Sequence, residues 1–169
     1  MRDARQFAQA LARQPLTIVS GLALGIDAAA HEGALAAGAD AGSTIAVVGT
    51  GLDLVYPAAN RALAHQIATD GLMLSEFPLG CGAQPHQFPQ RNRLIAALAL
   101  GTVVVEAAQR SGALITARLA GELGREVFAL PGSIHSPLSK GCHQLIRQGA
   151  KLVESAQHIV EELRLPAAD

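Results

Sequence analysis

Six short apolar runs rich in β-branched residues punctuate the chain: LTIVSG (16–21), STIAVVG (43–49), LMLSEF (72–77), GTVVVEA (101–107), EVFALPG (126–132) and KLVES (151–155). They alternate little between apolar and polar positions, so each predicts a strand covered on both faces rather than one with a wet side. Between them lie Ala/Leu-rich segments whose apolar residues recur at helical spacing: IDAAAHEGALAAG (26–38), AANRALAHQIATD (58–70), RNRLIAALAL (91–100) and LITARLAGELG (114–124). MRDARQFAQALARQ at the start and SAQHIVEELRL near the end read as amphipathic helices. Buried strands separated by helices predict an α/β protein with a doubly wound, mostly parallel sheet.

Such sheets bind ligands beyond the carboxyl ends of their strands. There the first five strands run into SGLALGIDAAAH, GTGLDLVYPAAN, SEFPLGCGAQPHQFPQRNR, EAAQRSGALITA and LPGSIHSPLSKGCH, clusters of Gly, Ser, Pro and Asn. Connections in these units usually take about two to six residues, and the third, at more than ten, is the clearest excess. The excess predicts a binding edge.

At 169 residues, half of them hydrophobic, one domain spanning 1–169 is expected. No apolar run approaches the length of a membrane span, and the first residues do not resemble a signal peptide, so a soluble, cytoplasmic protein without a membrane partner is expected. Cys81 and Cys142 lack metal-knuckle spacing and read as ordinary thiols; no metal is expected. The formal net charge of −1 argues against bulk attraction to nucleic acid, but its distribution changes the picture. Residues 90–151 hold eight Arg/Lys against three acids, whereas the segments on either side each come to −3. Basic charge and glycine-rich turns therefore coincide, although Arg118, Arg125 and Arg147 fit solvated helix faces equally well.

Ser111 and Gly112 stand where the fourth strand turns into a helix. A small hydroxyl and a glycine there let backbone N–H groups face outward at the positive end of the helix, which suits a phosphate. Thr116 follows one turn later, and Arg110 is placed to reach the same anion. Ser111 also fits a helix N-cap worth about 1 kcal/mol with no ligand. In FPQRNR, Arg91 and Arg93 at a helix start offer bidentate phosphate clamps, and Asn92 a base-edge contact or a cap; acids would suit that end of the dipole better, which favours function. Ser20, Gly21 and Gly25 surround a turn able to hold an anion. Asp27 and His31, four apart, suit helix stabilisation or a buried hydrogen bond better than an acid–base pair. Asn60 and Tyr56 follow the second strand; Tyr56 and Phe88 are the candidates for base stacking in a chain with only five aromatics. Ser139, Lys140 and Gly141 read as a last flexible, basic loop, with Lys140 a phosphate contact.

Taken in order, SGLALGIDAAAH, VVGTGLDLVYPAAN, LSEFPLGCGAQPHQFPQRNRLIAALA, VVVEAAQRSGALITARLAGELGREVFALPGS and SKGCHQLIRQGAKLV resemble successive signatures of the DNA-processing protein A family (DprA, also called Smf), over roughly residues 16–160. The family's FPxRN string matches at Phe88, Pro89, Arg91 and Asn92. The resemblance implies an extended Rossmann-like domain whose glycine-rich loops bind single-stranded DNA in a basic pocket. It further implies a homodimer through residues of about 126–165, and a part in natural transformation by loading the recombinase RecA. No cofactor and no catalytic residue are implied. Family members carry further strands upstream, so the chain is expected to lack the first strand–helix unit, either as a fragment or truncated product or as a domain that closes its sheet differently.

Two enzyme readings compete. The general shape resembles nucleoside-monophosphate phosphoribohydrolases, whose PGGxGTxxE signature is replaced here by Ser111-Gly112 with no acid until Glu122, leaving Glu106 as the nearby carboxylate. A dinucleotide-dependent oxidoreductase is weaker still, since GTGLDL supplies only two glycines of GxGxxG.

Overall fold

The computed structural model describes residues 1–164, which form two compact units, one from Met1 to Ile95 and a second from Ala96 onward. The first contains α1 (Arg2–Arg13), β1 (Ile18–Ser20), α2 (Ile26–Leu35), β2 (Thr44–Val47), α3 (Arg61–Asp70, entered through a 3-10 turn at Ala58–Asn60) and β3 (Leu72–Leu74). Helix α4 (Gln87–Leu98) carries the chain onward. The second contains β4 (Gly101–Val104), α5 (Gly112–Glu122), β5 (Glu126–Ala129), α6 (Lys140–Arg147, after a 3-10 turn at Pro137–Ser139), β6 (Lys151–Leu152) and α7 (Ala156–Glu162). Each unit has a three-stranded parallel sheet, β1-β2-β3 and β4-β5-β6. The predicted α/β alternation and parallel pairing are therefore what the chain adopts.

In the first unit Ile18 pairs with Thr44 and Ile45 with Leu72, which brings the carboxyl ends of β1, β2 and β3 level. Leu22, Ala46, Val48, Ala64 and Ile67 make its core. Helix α1 packs on α2 through small residues: Ala4, Ala8 and Ala12 face Ala29, Gly33 and Ala34, all buried. Lacking large side chains, the two helices approach so closely that a Cβ on Gly33 would strike the Arg5 carbonyl. In the second unit Val104 pairs with Ala129, and Ala129 with Leu152. Val104, Ala107, Ala117, Ala129 and Cys142 make that core. Burial pushes the Cys142 thiol up, and its Sγ donates to the Val104 carbonyl at 3.5 Å, so it behaves as the ordinary thiol expected.

Two elements differ from expectation. Helix α4 begins at Gln87, four residues earlier than the spacing predicts, because Pro89 falls in the first turn where its missing N–H costs nothing. Arg91 and Arg93 therefore sit in the second turn, and the conflict with the helix dipole inferred for them does not arise. Ser139–Gly141 is not a flexible loop. Lys140 opens α6, and buried Gly141 donates its N–H to the Ala107 carbonyl at 2.7 Å, where a Cβ would come within 2.6 Å of that oxygen. Among the described residues, no helix is long and apolar enough to cross a membrane.

Gly33→Ala is expected to destabilise the chain by about 1–3 kcal/mol through overpacking of α1 against α2. Urea unfolding checks this, and unchanged stability would show that the helices separate freely.

Candidate nucleic-acid interface

The loop after β1 is held by side chains from three helical elements. Asp27 Oδ2 accepts the N–H groups of Gly21 and Ala23, each at 3.2 Å. His31 Nε2 accepts the N–H of Leu22 at 3.3 Å. Asn60 Nδ2 donates to the carbonyls of Leu22 at 2.8 Å and Ala23 at 3.3 Å. Arg91 Nη1 donates to the carbonyls of Gly21 at 2.6 Å and Val47 at 2.8 Å, tying the end of β1 to the end of β2. The anchoring holds Leu22 at a φ of 60°, a conformation that side chains other than glycine seldom take, with its side chain fully buried. Gly21 is required by space: a Cβ would lie 2.6 Å from Arg91 Nη1 and 2.9 Å from Asp27 Oδ2.

These contacts reassign several residues. The amides of Gly21, Leu22 and Ala23 turn inward to Asp27 and His31, so the loop of Ser20, Gly21 and Gly25 does not present them to an anion. Ser20 is half-buried on β1, and Gly25, at a φ of 85°, precedes the first residue of α2. Asn60 is buried and donates to backbone. Arg91 is buried, with Nε on Asn92 Oδ1 at 3.2 Å and Nη1 on two carbonyls, an arrangement that does not leave it the bidentate phosphate clamp expected. Burial lowers its pKa and Asp27 opposes that shift; the guanidinium remains charged. Arg93 is ion-paired with Glu76.

Asp27 and His31 do not pair as acid and base; each ties the loop separately. His31 is fully buried, with Nδ1 2.7 Å from Thr44 Oγ1, which donates its own proton to the Ile18 carbonyl at 2.7 Å. Since Nε2 accepts and Thr44 has spent its proton, Nδ1 carries the hydrogen and the ring is neutral. Burial lowers its pKa from 6.5 to about 4, with Arg91 acting in the same direction and Asp27 against it.

Beside this anchored loop the two aromatic candidates meet. The rings of Tyr56 and Phe88 lie 5.4 Å apart, tilted by 36°, and the Arg91 guanidinium carbon lies 5.6 Å from the Phe88 ring centre. Phe88 fits because Gly49 has no side chain; a Cβ there would come within 3.1 Å of the ring. Tyr56 is 52% exposed, so the cluster joins a buried cation, a half-buried ring and a ring in solvent. The loops around it carry exposed Leu24, Leu52, Leu54 and Leu79. The long third loop is ordered by two residues that sequence pattern did not single out. Asp53 accepts the Gly80 N–H, and Gln87 Nε2 donates to the carbonyls of Gly49 and Gly82. Isolated polar side chains that bond distant backbone leave no periodic signal.

In the second unit Ser111 Oγ accepts the Ala113 N–H at 3.2 Å, so the N-cap forms. Gly112 is exposed with open space where a side chain would stand. Thr116 is buried on α5 with Ala117 and Ala120. Arg110 and Lys140 are exposed and form no ion pair among the described residues. Lys151, by contrast, lies between Glu126 at 3.0 Å and Glu162 at 2.5 Å.

A family model described as DNA recombination-mediator protein A matches residues 1–164. The chain belongs to the DNA recombination-mediator protein A family. Among its relatives, DNA processing protein DprA of Streptococcus pneumoniae is 57% identical over 149 residues, covering 87% of this chain and 51% of that protein. The chain thus spans about half the length of that relative. The X-ray structure of the S. pneumoniae DprA superposes with a TM-score of 0.89 at 53% identity, covering 94% of this chain and 55% of that one. DNA processing protein A from Helicobacter pylori, whose structure is described for its single-stranded DNA binding mode, gives a TM-score of 0.84 at 32% identity, covering 97% of this chain and 75% of that one. Membership of the DNA recombination-mediator family covers every strand-end loop described above.

Because folding lowers the His31 pKa from 6.5 to about 4, the unfolded chain binds more protons between those values. The contribution of His31 to stability is complete above pH 6.5 and is lost as pH falls towards 4, at up to ~1.4 kcal/mol per pH unit. Urea unfolding at pH 7, 5.5 and 4.5 checks this, and His31→Gln is expected to flatten the pH slope in that window.

Proposed function

We propose that the chain binds single-stranded DNA at the carboxyl ends of its parallel strands, as a binder without turnover. The observation that supports this most directly is the Tyr56–Phe88–Arg91 stack, which offers solvent an aromatic face backed by a second ring and a cation. Such a platform accepts an unpaired base of any kind, because every base has a π-face, and it has no use for a base already stacked in a duplex. Exposed leucines on the neighbouring loops suit the same apolar base surfaces. Phosphates are assigned to the Ser111–Gly112 turn and to Arg110 and Lys140, which have no ion-pair partner among the described residues. Asn92 and Arg93 belong to the proposal as polar contacts beside the stack, Arg93 by exchanging Glu76 for a phosphate. Ser20, Gly21, Gly25, Asn60, Arg91 and Thr116 act by shape, holding the strand ends in place.

The biological setting proposed is that of the family, a recombination mediator acting in the cytoplasm during natural transformation. The H. pylori relative's description as a single-stranded DNA binder supports the ligand. Delivery of the strand to recombinase RecA and a homodimer through residues of about 126–165 form part of the same proposal and are carried by the family resemblance.

Fluorescence anisotropy of labelled oligonucleotides at two salt concentrations tests it. Preference for single strand over duplex is expected. Tyr56→Ala should weaken binding by about 1–3 kcal/mol without altering the salt dependence. Arg110→Gln should lower the salt slope by about 0.7, the value of one phosphate contact on a single strand. Equal affinity for duplex, with Tyr56→Ala neutral, would overturn the proposal.

A further inference from the structure

On the outward side of α6, Lys140, His143, Gln144 and Arg147 recur at spacings of three and four, while Gly141, Cys142, Leu145 and Ile146 turn into the core. Together with Gln109 from the loop after β4, these outward residues line an open pocket of about 490 Å³. Two cations, an imidazole and two carboxamides converge there, and no carboxylate is among the lining residues. Neither Lys140 nor Arg147 is ion-paired among the described residues. This separates them from Lys151, Arg93 and Arg118, each of which has an acidic partner.

The position of His143 adds a directed donor. Its Nε2 accepts the Gly132 N–H at 3.2 Å, which assigns the hydrogen of the neutral ring to Nδ1. The ring is thereby fixed by the loop after β5, and the first turn of α6 by the Gly141 N–H on the Ala107 carbonyl. A pocket of donors from Lys, Arg, His and Gln without a competing carboxylate matches a tetrahedral oxyanion, for which Arg supplies a planar fork and Lys a point charge.

We infer that this pocket is a phosphate-binding subsite in which Lys140 and Arg147 carry the charge and His143, Gln109 and Gln144 the hydrogen bonds. It deepens the single-stranded DNA proposal by adding four residues to Lys140, and it rests on that proposal for its expected occupant, a backbone phosphodiester. A free phosphate group is the other source of the same chemistry.

The test combines two titrations of the chain with a Lys140→Gln/Arg147→Gln double variant. Both side chains are exposed, and circular dichroism melting verifies that the variant remains folded. In the first titration the ligand is an unphosphorylated oligothymidylate, followed by anisotropy across a salt series. A salt slope lower by about 1.4 in the variant, two single-strand contacts' worth, supports the subsite with a phosphodiester as occupant. In the second the ligand is inorganic phosphate, followed by the NMR signals of residues 139–147. Saturable shifts that vanish in the variant support the subsite with a free phosphate group as occupant. If the slope is unchanged and phosphate produces no saturable shift, the subsite is overturned. Tyr56→Ala and Arg110→Gln test the DNA proposal independently, so even if the chain fails to bind DNA, the phosphate titration still decides whether the pocket binds an oxyanion.

Discussion

The strand-end architecture of the first unit depends on one buried guanidinium. Parallel strands leave carbonyls pointing out of the sheet at their carboxyl ends, and at the ends of β1 and β2 two of these converge on Arg91 Nη1. Burying a guanidinium is expensive unless it is hydrogen-bonded and its charge compensated. Here the two carbonyls, the nearby Asp27 and the face of Phe88 share that task. Other features follow from it. Gly21 has no room for a side chain, and Phe88 contacts both the cation and Tyr56.

The loop after β1 shows how polar side chains make a glycine-rich segment rigid. Gly21, Leu22 and Ala23 donate inward to Asp27 and His31, and the Leu22 and Ala23 carbonyls receive Asn60. A loop that resembles an anion cradle by composition is a scaffold by hydrogen bonding. Amides consumed internally are unavailable to a ligand, whereas the Tyr56 ring and, in the second unit, Gly112 and Arg110 are exposed.

Charge divides in the same way. The +5 of residues 90–151 suggests a broad basic surface, yet Arg91 is buried, Arg93, Arg118 and Lys151 have acidic partners, and Arg125 donates to the Ala97 carbonyl. Arg110, Lys140 and Arg147 remain as cations without such partners among the described residues. So few uncompensated charges make only a modest field around the second unit.

The amino-acid sequence by itself determined the six strands, the helices other than α6, the parallel α/β class and the glycine-rich loops at the strand ends. All of these are local or periodic properties: β-branched runs, helical spacing, and glycine where strands turn. It also marked Tyr56 and Phe88 as stacking candidates, since aromatics are scarce, and Ser111 as a cap. Tertiary structure alone decided what each polar residue does. Whether Arg91 faces a phosphate or two carbonyls, whether His31 meets Asp27 or Thr44, and whether Lys140 begins a helix or lies in a loop depend on partners 13 to 70 residues away in the chain. The physical reason is that a hydrogen bond is specific to the atoms the fold brings within reach, whereas hydrophobic periodicity is already set by the order of the residues.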